Sequence, residues 1–304
     1  MVFSLVEIGN METYLVLILL SALSLGLYDF CKKLSVRDNA VMPTLFWATL
    51  SGTSVYLLFI ACTGHLVEYA CGVKNLHEFI LIIFKSLLVA SSWICGYYAL
   101  RELPLSIAAP IRATAPLWTF FGGVLLFHEV PGLRQGIGMI FIFLGYYLFS
   151  VIGKLEGINF FKHRGIHLIF LATLLGATSA LYDKYLLSVV GIDKNTMQFY
   201  FSLELVLIFG IAWLIRKLFF KDGIKFSFRY SMIFTGVLLI IADYLYFYAI
   251  TMPNTQIAML SLIRRASCVV TFILSFGYLK DLNFKKKFFA LLLILIGLLI
   301  ISLK

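Results

Sequence analysis

The chain has 304 residues, of which 62% are hydrophobic and 13% charged, roughly half the charged share of a soluble protein. Mean hydropathy is +0.98, which excludes a water-soluble enzyme or binding domain and points to a chain dissolved in lipid. The surplus of +10 sits on Lys and Arg between apolar runs, so it reads as membrane topology and not as a nucleic-acid surface.

A helix needs roughly 20 apolar residues to cross the ~30 Å hydrocarbon core. By that ruler the sequence predicts ten spans, at 12–31, 43–62, 79–100, 105–127, 134–152, 166–188, 196–215, 230–250, 255–279 and 285–303. The first twelve residues hold Glu7 and Glu12 and no Lys or Arg, so the first span is expected to stay and not to be cleaved as a signal peptide. Cys31, Cys62, Cys71, Cys95 and Cys268 are odd in number and read as small apolar residues, not as a disulfide framework.

Span one carries Ser21, Ser24 and Tyr28 on one helix face, with Asp29 beside them near its end. Span six repeats the arrangement with Gly176, Ser179 and Asp183. Such a face either lines a cavity or lets helices approach closely. Lys32 and Lys33 after Asp29, and Lys184 after Asp183, place both acids at the membrane interface as gates or caps. In span three, Lys85 lies close enough to the start to snorkel to the interface. Trp93 offers a cation–π face to Arg112 of span four.

Charges inside spans cost roughly 2.5–3.5 kcal/mol each on insertion scales, so each asks for a reason. Arg112 is bracketed by Pro110 and Pro116, which remove backbone hydrogen bonds and kink the helix beside it. Glu204 in span seven is a lone carboxylate, able either to take up and release protons or to sit neutral in a hydrogen bond. Asp243 in span eight and Arg264 in span nine differ in depth by only ~3 Å across a hairpin, which predicts a salt bridge. Arg264-Arg265 occupies the place in span nine that Arg112 holds in span four. Three arginines against one well-placed aspartate leave positive charge without an obvious partner. Guanidinium binds carboxylate or phosphate bidentately, so Arg112 and Arg265, with Trp93, Tyr28 and Ser179, are the expected substrate contacts. The competing reading is that the arginines pair with Asp243, Glu204 or carbonyls and only fix the bundle. Tyr97, Tyr98, Tyr246 and Tyr248 fall near span ends, where interfacial tyrosines are expected. Gly138 and Gly145 of span five match Ala290 and Gly297 of span ten, a small-residue seam.

The second half of the chain repeats the first. Leu27-Tyr28-Asp29 recurs as Leu181-Tyr182-Asp183, and Tyr98-Ala99-Leu100 as Tyr248-Ala249-Ile250. Ile111-Arg112-Ala113-Thr114 followed by Thr119-Phe120 recurs as Ile263-Arg264-Arg265-Ala266 followed by Thr271-Phe272. Five spans fall in 12–152 and five in 166–303, joined by a loop at 153–165. Because five is odd, the halves must cross in opposite senses. The predicted fold is an all-α membrane protein of ten transmembrane helices, built as two inverted-topology five-helix repeats, an arrangement typical of secondary transporters.

Loops after odd-numbered spans hold Lys32, Lys33, Arg37, Arg101, Lys154, Lys162, Arg164, Arg216, Lys217, Lys221, Lys225, Arg229, Lys280, Lys285, Lys286 and Lys287. The other side holds Lys74, Arg134, Lys194 and Lys304. By the positive-inside rule both termini face away from the cytoplasm.

Tyr98-Ala99-Leu100, Ala115-Pro116-Leu117-Trp118, Gly122, Glu129 and the run Gly136 to Gly145, on a paired five-span layout, resemble a ten-span EamA-type member of the drug/metabolite transporter superfamily. The resemblance covers roughly residues 12 to 303. It implies alternating-access carriage of a small metabolite through a central cavity between two repeats; the arginines make an anion the expected substrate, and the plasma (inner) membrane is the expected location. Asp281 stands where that family commonly has Glu and Cys268 where it commonly has proline, and the Arg264-Arg265 pair is not general to it. The expected partners are the lipid bilayer and a small-molecule substrate, with no nucleic acid; a coupling proton or ion and a homodimer both stay open. No cofactor or metal is expected, since His65, His77, His128, His163 and His167 lie in or beside loops without ligand spacing. The alternatives are an exporter of amino acids or amphipathic drugs, a receptor, and an integral membrane enzyme or lipid-handling protein. Against the enzyme stands the lack of a clustered catalytic set and of a Gly-x-Ser-x-Gly elbow.

Overall fold

The computed structural model describes residues 2–103, 108, 111–112, 115–128, 132–154, 163–219, 224–252, 255, 257–279 and 284–302. Among them every regular element is helical. In chain order these are α1 (Val2–Val36), α2 (Val41–Cys62), the short α3 (Leu66–Ala70), α4 (Leu76–Glu102), α5 (Ala115–Phe127) and α6 (Leu133–Lys154). Then come α7 (Arg164–Lys184), which continues into a π-helical stretch (Tyr185–Val190), α8 (Lys194–Phe219), α9 (Tyr230–Thr251), α10 (Ile257–Arg265), α11 (Ser267–Leu279) and α12 (Phe284–Ser302).

Among the described residues, six segments are long and apolar enough to cross a bilayer: Tyr14–Val36, Val41–Cys62, Leu76–Glu102, Arg164–Val190, Lys194–Phe219 and Tyr230–Thr251. The other four predicted spans fall on α5, α6, α10 with α11, and α12, parts of which lie outside the described residues. Several helices outrun the predicted spans. α1 reaches Val36 where the apolar run ends at residue 31, because hydropathy follows apolar content while the helix itself continues through Lys32 and Lys33.

The outer surface is strongly apolar, and polar side chains are buried within a largely apolar interior. Leu58 is 65% and Leu125 73% exposed, while Ser21, Asn39, Ser86 and Gln198 are fully buried. With lipid outside, burial of oil cannot hold helices together, so close packing and polar contacts must. Ser21 Oγ donates to the Ala242 carbonyl of α9 at 2.7 Å, and Ser92 Oγ of α4 donates to the Ala172 carbonyl of α7 at 2.7 Å. Where α2 crosses α9, a Cβ on Gly52 would collide with the backbone of Gly236, so both positions need glycine. A Cβ on Gly297 of α12 would likewise meet the Gly138 carbonyl of α6.

The helices pair across the two halves of the chain: α1 on α9, α4 on α7, α1 on α11, α5 on α7, α5 on α10, α2 on α8, and α6 on α12. Two interruptions shape the centre. α10 ends at Arg265 and α11 starts at Ser267, with Ala266 N–H donating to Ile263 O at 2.9 Å in the turn between them. α7 widens to a π-helix just after Asp183, and Gly191 closes it at φ +78°, the left-handed region that glycine favours.

At the α1–α2 turn, the buried Asn39 amide donates to Ser35 O and Ser227 O and accepts from Ala40 N and Ser227 N. Arg229 donates to the Leu34 and Arg37 carbonyls at 2.7 Å. This network ties the end of α1 to the chain leading into α9.

Candidate functional site

A cavity of about 160 Å³ opens between α1, α4, α7, α9 and α10, with Arg112 and with Phe201 of α8 in its wall. Its charged lining is Lys32, Lys85, Arg112, Arg264 and Arg265 against Asp183 and Asp243. Small and hydroxyl residues (Ser92, Gly96, Thr173, Gly176, Ser179 and Ser261) leave the space that the charged groups face.

The structure brings together most of the predicted site residues. Tyr28, Trp93, Arg112, Ser179, Asp243, Arg264 and Arg265 all line this one cavity. Arg264 Nη2 donates to Asp243 Oδ1 at 2.5 Å, and its guanidinium lies 4.1 Å from the Tyr246 ring centre. The break after Arg265 sets both arginines in the last turn of α10, where the helix dipole and open carbonyls favour cations. Ser179 is buried at the cavity wall, whereas Ser21, on the matching face of α1, is taken up in packing against α9. Pro110 lies outside the described residues. Pro116 lies near the start of the described part of α5, and residues 113 and 114 just before it lie outside the described residues.

Four expectations are corrected. Arg112 has a carboxylate partner: its Nη1 donates to Asp29 Oδ1 at 3.0 Å. Asp29 therefore belongs to the site and is not an interfacial cap. The physical reason is the extra length of α1, which puts Asp29 seven residues before the end of the helix and brings it to the depth of Arg112. Second, Lys85 does not snorkel. It is 1% exposed, its Nζ is 2.6 Å from Asp183 Oδ1, and it lies 4.0 Å and 4.9 Å from the rings of Phe201 and Phe247. Asp183 thus moves from the interface into the cavity wall. Third, Trp93 has a further partner beyond the expected arginine: it stacks on Phe209 with ring centres 6.1 Å apart and lines the same cavity as Arg112. Fourth, Tyr97 and Tyr246 are 2% exposed and are interior residues, not belt tyrosines.

Lys32 is the cavity-lining residue that sequence reasoning passed over. It reads as a loop charge after span one, yet it is 4% exposed and sits 4.3 Å from the Tyr97 ring centre and 5.1 Å from that of Tyr28. The aromatic faces hold the ammonium where water cannot. Its spacing four residues after Tyr28 on a continuing helix is the signal that could have found it. Glu204 stands just behind the wall: its Oε2 accepts from Ser86 Oγ at 2.5 Å.

Residues 12–151 match the EamA-like transporter family. One solved crystal structure matches with a TM-score of 0.68 at 14% identity, covering 97% of this chain and 96% of its own. At that identity the likeness is one of fold.

Proposed function

We propose that this multi-pass membrane protein, whose residues 12–151 form an EamA-like transporter domain, carries a small anionic metabolite by alternating access through the cavity described above. Ten spans in two inverted five-helix repeats, 12–152 and 166–303, are the architecture that fits this reading. The packing supports it. Exchanging the halves turns the α1–α9 contact into α7–α4 and the α1–α11 contact into α7–α5, and it maps α6–α12 onto itself. A two-fold axis in the membrane plane produces that exchange.

The observation that carries the anionic substrate is the charge of the cavity. Five basic side chains line it, and Asp29, Asp183 and Asp243 are the acids that line it or pair with its lining. That leaves a surplus of two positive charges among the described residues. A lining with more bases than acids favours an anion entering the cavity. Arg112 supplies the fork for a carboxylate or phosphate, Lys32 and Arg265 supply further positive charge, and Ser92, Ser179 and Ser261 supply hydroxyls for the body of the metabolite. Trp93 and Tyr28 give it an aromatic wall. The membrane we propose is the plasma (inner) membrane, with both termini away from the cytoplasm.

Counterflow in proteoliposomes tests the function. The purified chain should exchange at least one of labelled inorganic phosphate, a hexose phosphate or a C4 dicarboxylate, saturably and with competition by the unlabelled anion. Exchange of an organic cation or a neutral amino acid, with none of the anions moving, would contradict it.

A further inference from the structure

Glu204 is 8% exposed, deep in α8. One oxygen, Oε2, takes the Ser86 hydroxyl at 2.5 Å; the other, Oε1, is buried with no hydrogen-bond partner among the described residues. A carboxylate so placed leaves half its acceptor capacity unmet, and a buried charge with too few partners favours taking a proton. The elements around it offer little else. α4 presents Ser86, which donates to Glu204, and next to it in sequence Lys85. α2 meets this stretch of α8 through Thr53, whose hydroxyl donates to Ser202 O at 3.2 Å. α9 meets it through Phe247, whose ring lies 6.1 Å from that of Phe201. α3 meets it at Ala70, whose carbonyl accepts the Tyr200 hydroxyl.

Lys85 in turn is paired with Asp183 at the cavity wall. Adjacent residues of α4 thus reach two acids: Lys85 pairs with Asp183 at the cavity wall, and Ser86 donates to Glu204 behind it. We propose that Glu204 is a proton-binding site coupled to transport, so that the protein moves its anion together with a proton. This rests on the anion-carrier reading above. A proton from water adds to Oε1, turning the carboxylate into a carboxylic acid, while Ser86 keeps donating to Oε2. Lys85 is then balanced by Asp183 alone. When the proton leaves, a second negative charge stands behind the wall, drawing on Lys85 and repelling an anion in the cavity. The anion thus binds better when Glu204 is protonated, and by linkage the bound anion favours the proton. An inward proton gradient should drive the anion inward.

The test uses the full chain in proteoliposomes with whichever of inorganic phosphate, hexose phosphate or C4 dicarboxylate it exchanges. Wild type should accumulate that anion against its gradient when the outside is made acidic. Glu204→Gln, fixed in the neutral form, should keep counterflow at equal pH and lose the accumulation. Accumulation unchanged in Glu204→Gln, or driven by a sodium gradient in place of protons, would overturn the proposal. So would wild type that exchanges the anion but ignores a pH gradient. If no anion of the three is exchanged, the carrier reading fails, and infrared titration of the protein in lipid judges the proton site by itself. A carboxylic-acid band that appears on acidification in wild type, is missing in Glu204→Gln and appears at a different pH in Ser86→Ala supports the site; no band assignable to Glu204 removes it.

Discussion

The Arg112–Asp29 and Lys85–Asp183 pairs use one chemistry in two different settings. The first is 28% and 15% exposed along its side chains, the second 2% and 6%. Lys85 is further enclosed by Phe201 and Phe247, whereas Arg112 faces the cavity with Lys32 and Arg265 nearby in its lining. The more enclosed pair bridges two helices, α4 and α7, at the cavity wall, with little of either side chain open to water. An accessible pair can trade its carboxylate for one brought in by a ligand. Equal ion pairs on paper thus differ in access: under the proposed function the enclosed one fixes structure and the open one meets the substrate.

The comparison breaks most sharply at Lys85. Lys85→Met strands Asp183 as an uncompensated buried charge, and should cost about 3–5 kcal/mol, read as a large loss of thermal stability and folded yield. Lys85→Met with Asp183→Leu should recover most of it, because a neutral apolar pair packs without desolvating charge. If the single change is harmless, the pair is not the brace described here.

Arg112→Lys should insert and fold normally, since the charge remains and Asp29 stays within reach of water. It loses the bidentate fork, so apparent affinity for the transported anion should fall roughly 10- to 100-fold, the worth of one charge-assisted hydrogen bond. Arg112→Gln should abolish anion exchange. Retained affinity in both variants would make Arg112 a structural residue like Lys85.

Asp243 and Arg264 sit between the two extremes, 12% and 19% exposed. Their double-mutant cycle, Asp243→Asn with Arg264→Gln, should show coupling of about 0.5–3 kcal/mol in thermal unfolding, with the double variant less damaged than the two losses combined. Strict additivity would show that they do not act as a pair. The smallest effect is expected at Asp29. Asp29→Asn releases Arg112 from its internal competitor, so anion affinity should rise by about 2- to 5-fold, under ~1 kcal/mol. A fall would show that Asp29 orients Arg112 instead of competing for it.

Much of this was legible in the chain. The Asp243–Arg264 contact follows from hairpin register alone, since both residues count their depth from the same turn. The repeated Tyr28-Asp29 and Tyr182-Asp183 marked equivalent places in the two halves, although not their roles. Those roles were hidden because hydropathy sets span ends by apolar content. α1 was cut at residue 31, which left Asp29 stranded at an interface and Lys32 in a loop. Lys85 was misplaced for a related reason: its partner lies on α7, nearly a hundred residues away, and depth along one helix says nothing about what the neighbouring helix presents. The break at Ala266 left no trace in composition, because two short helices read as one apolar run.

The claim that Arg112 and its neighbours form an anion site is tested most directly by thermal-shift titration of the purified chain with inorganic phosphate, a hexose phosphate and a C4 dicarboxylate. A ligand that binds the folded state stabilises it by RT ln(1 + [L]/Kd), about 2.7 kcal/mol at a hundredfold excess over Kd. At least one of the three should raise the unfolding temperature saturably in wild type, and the rise should vanish in Arg112→Gln. An equal rise in Arg112→Gln, or stabilisation only by an organic cation, would contradict the account.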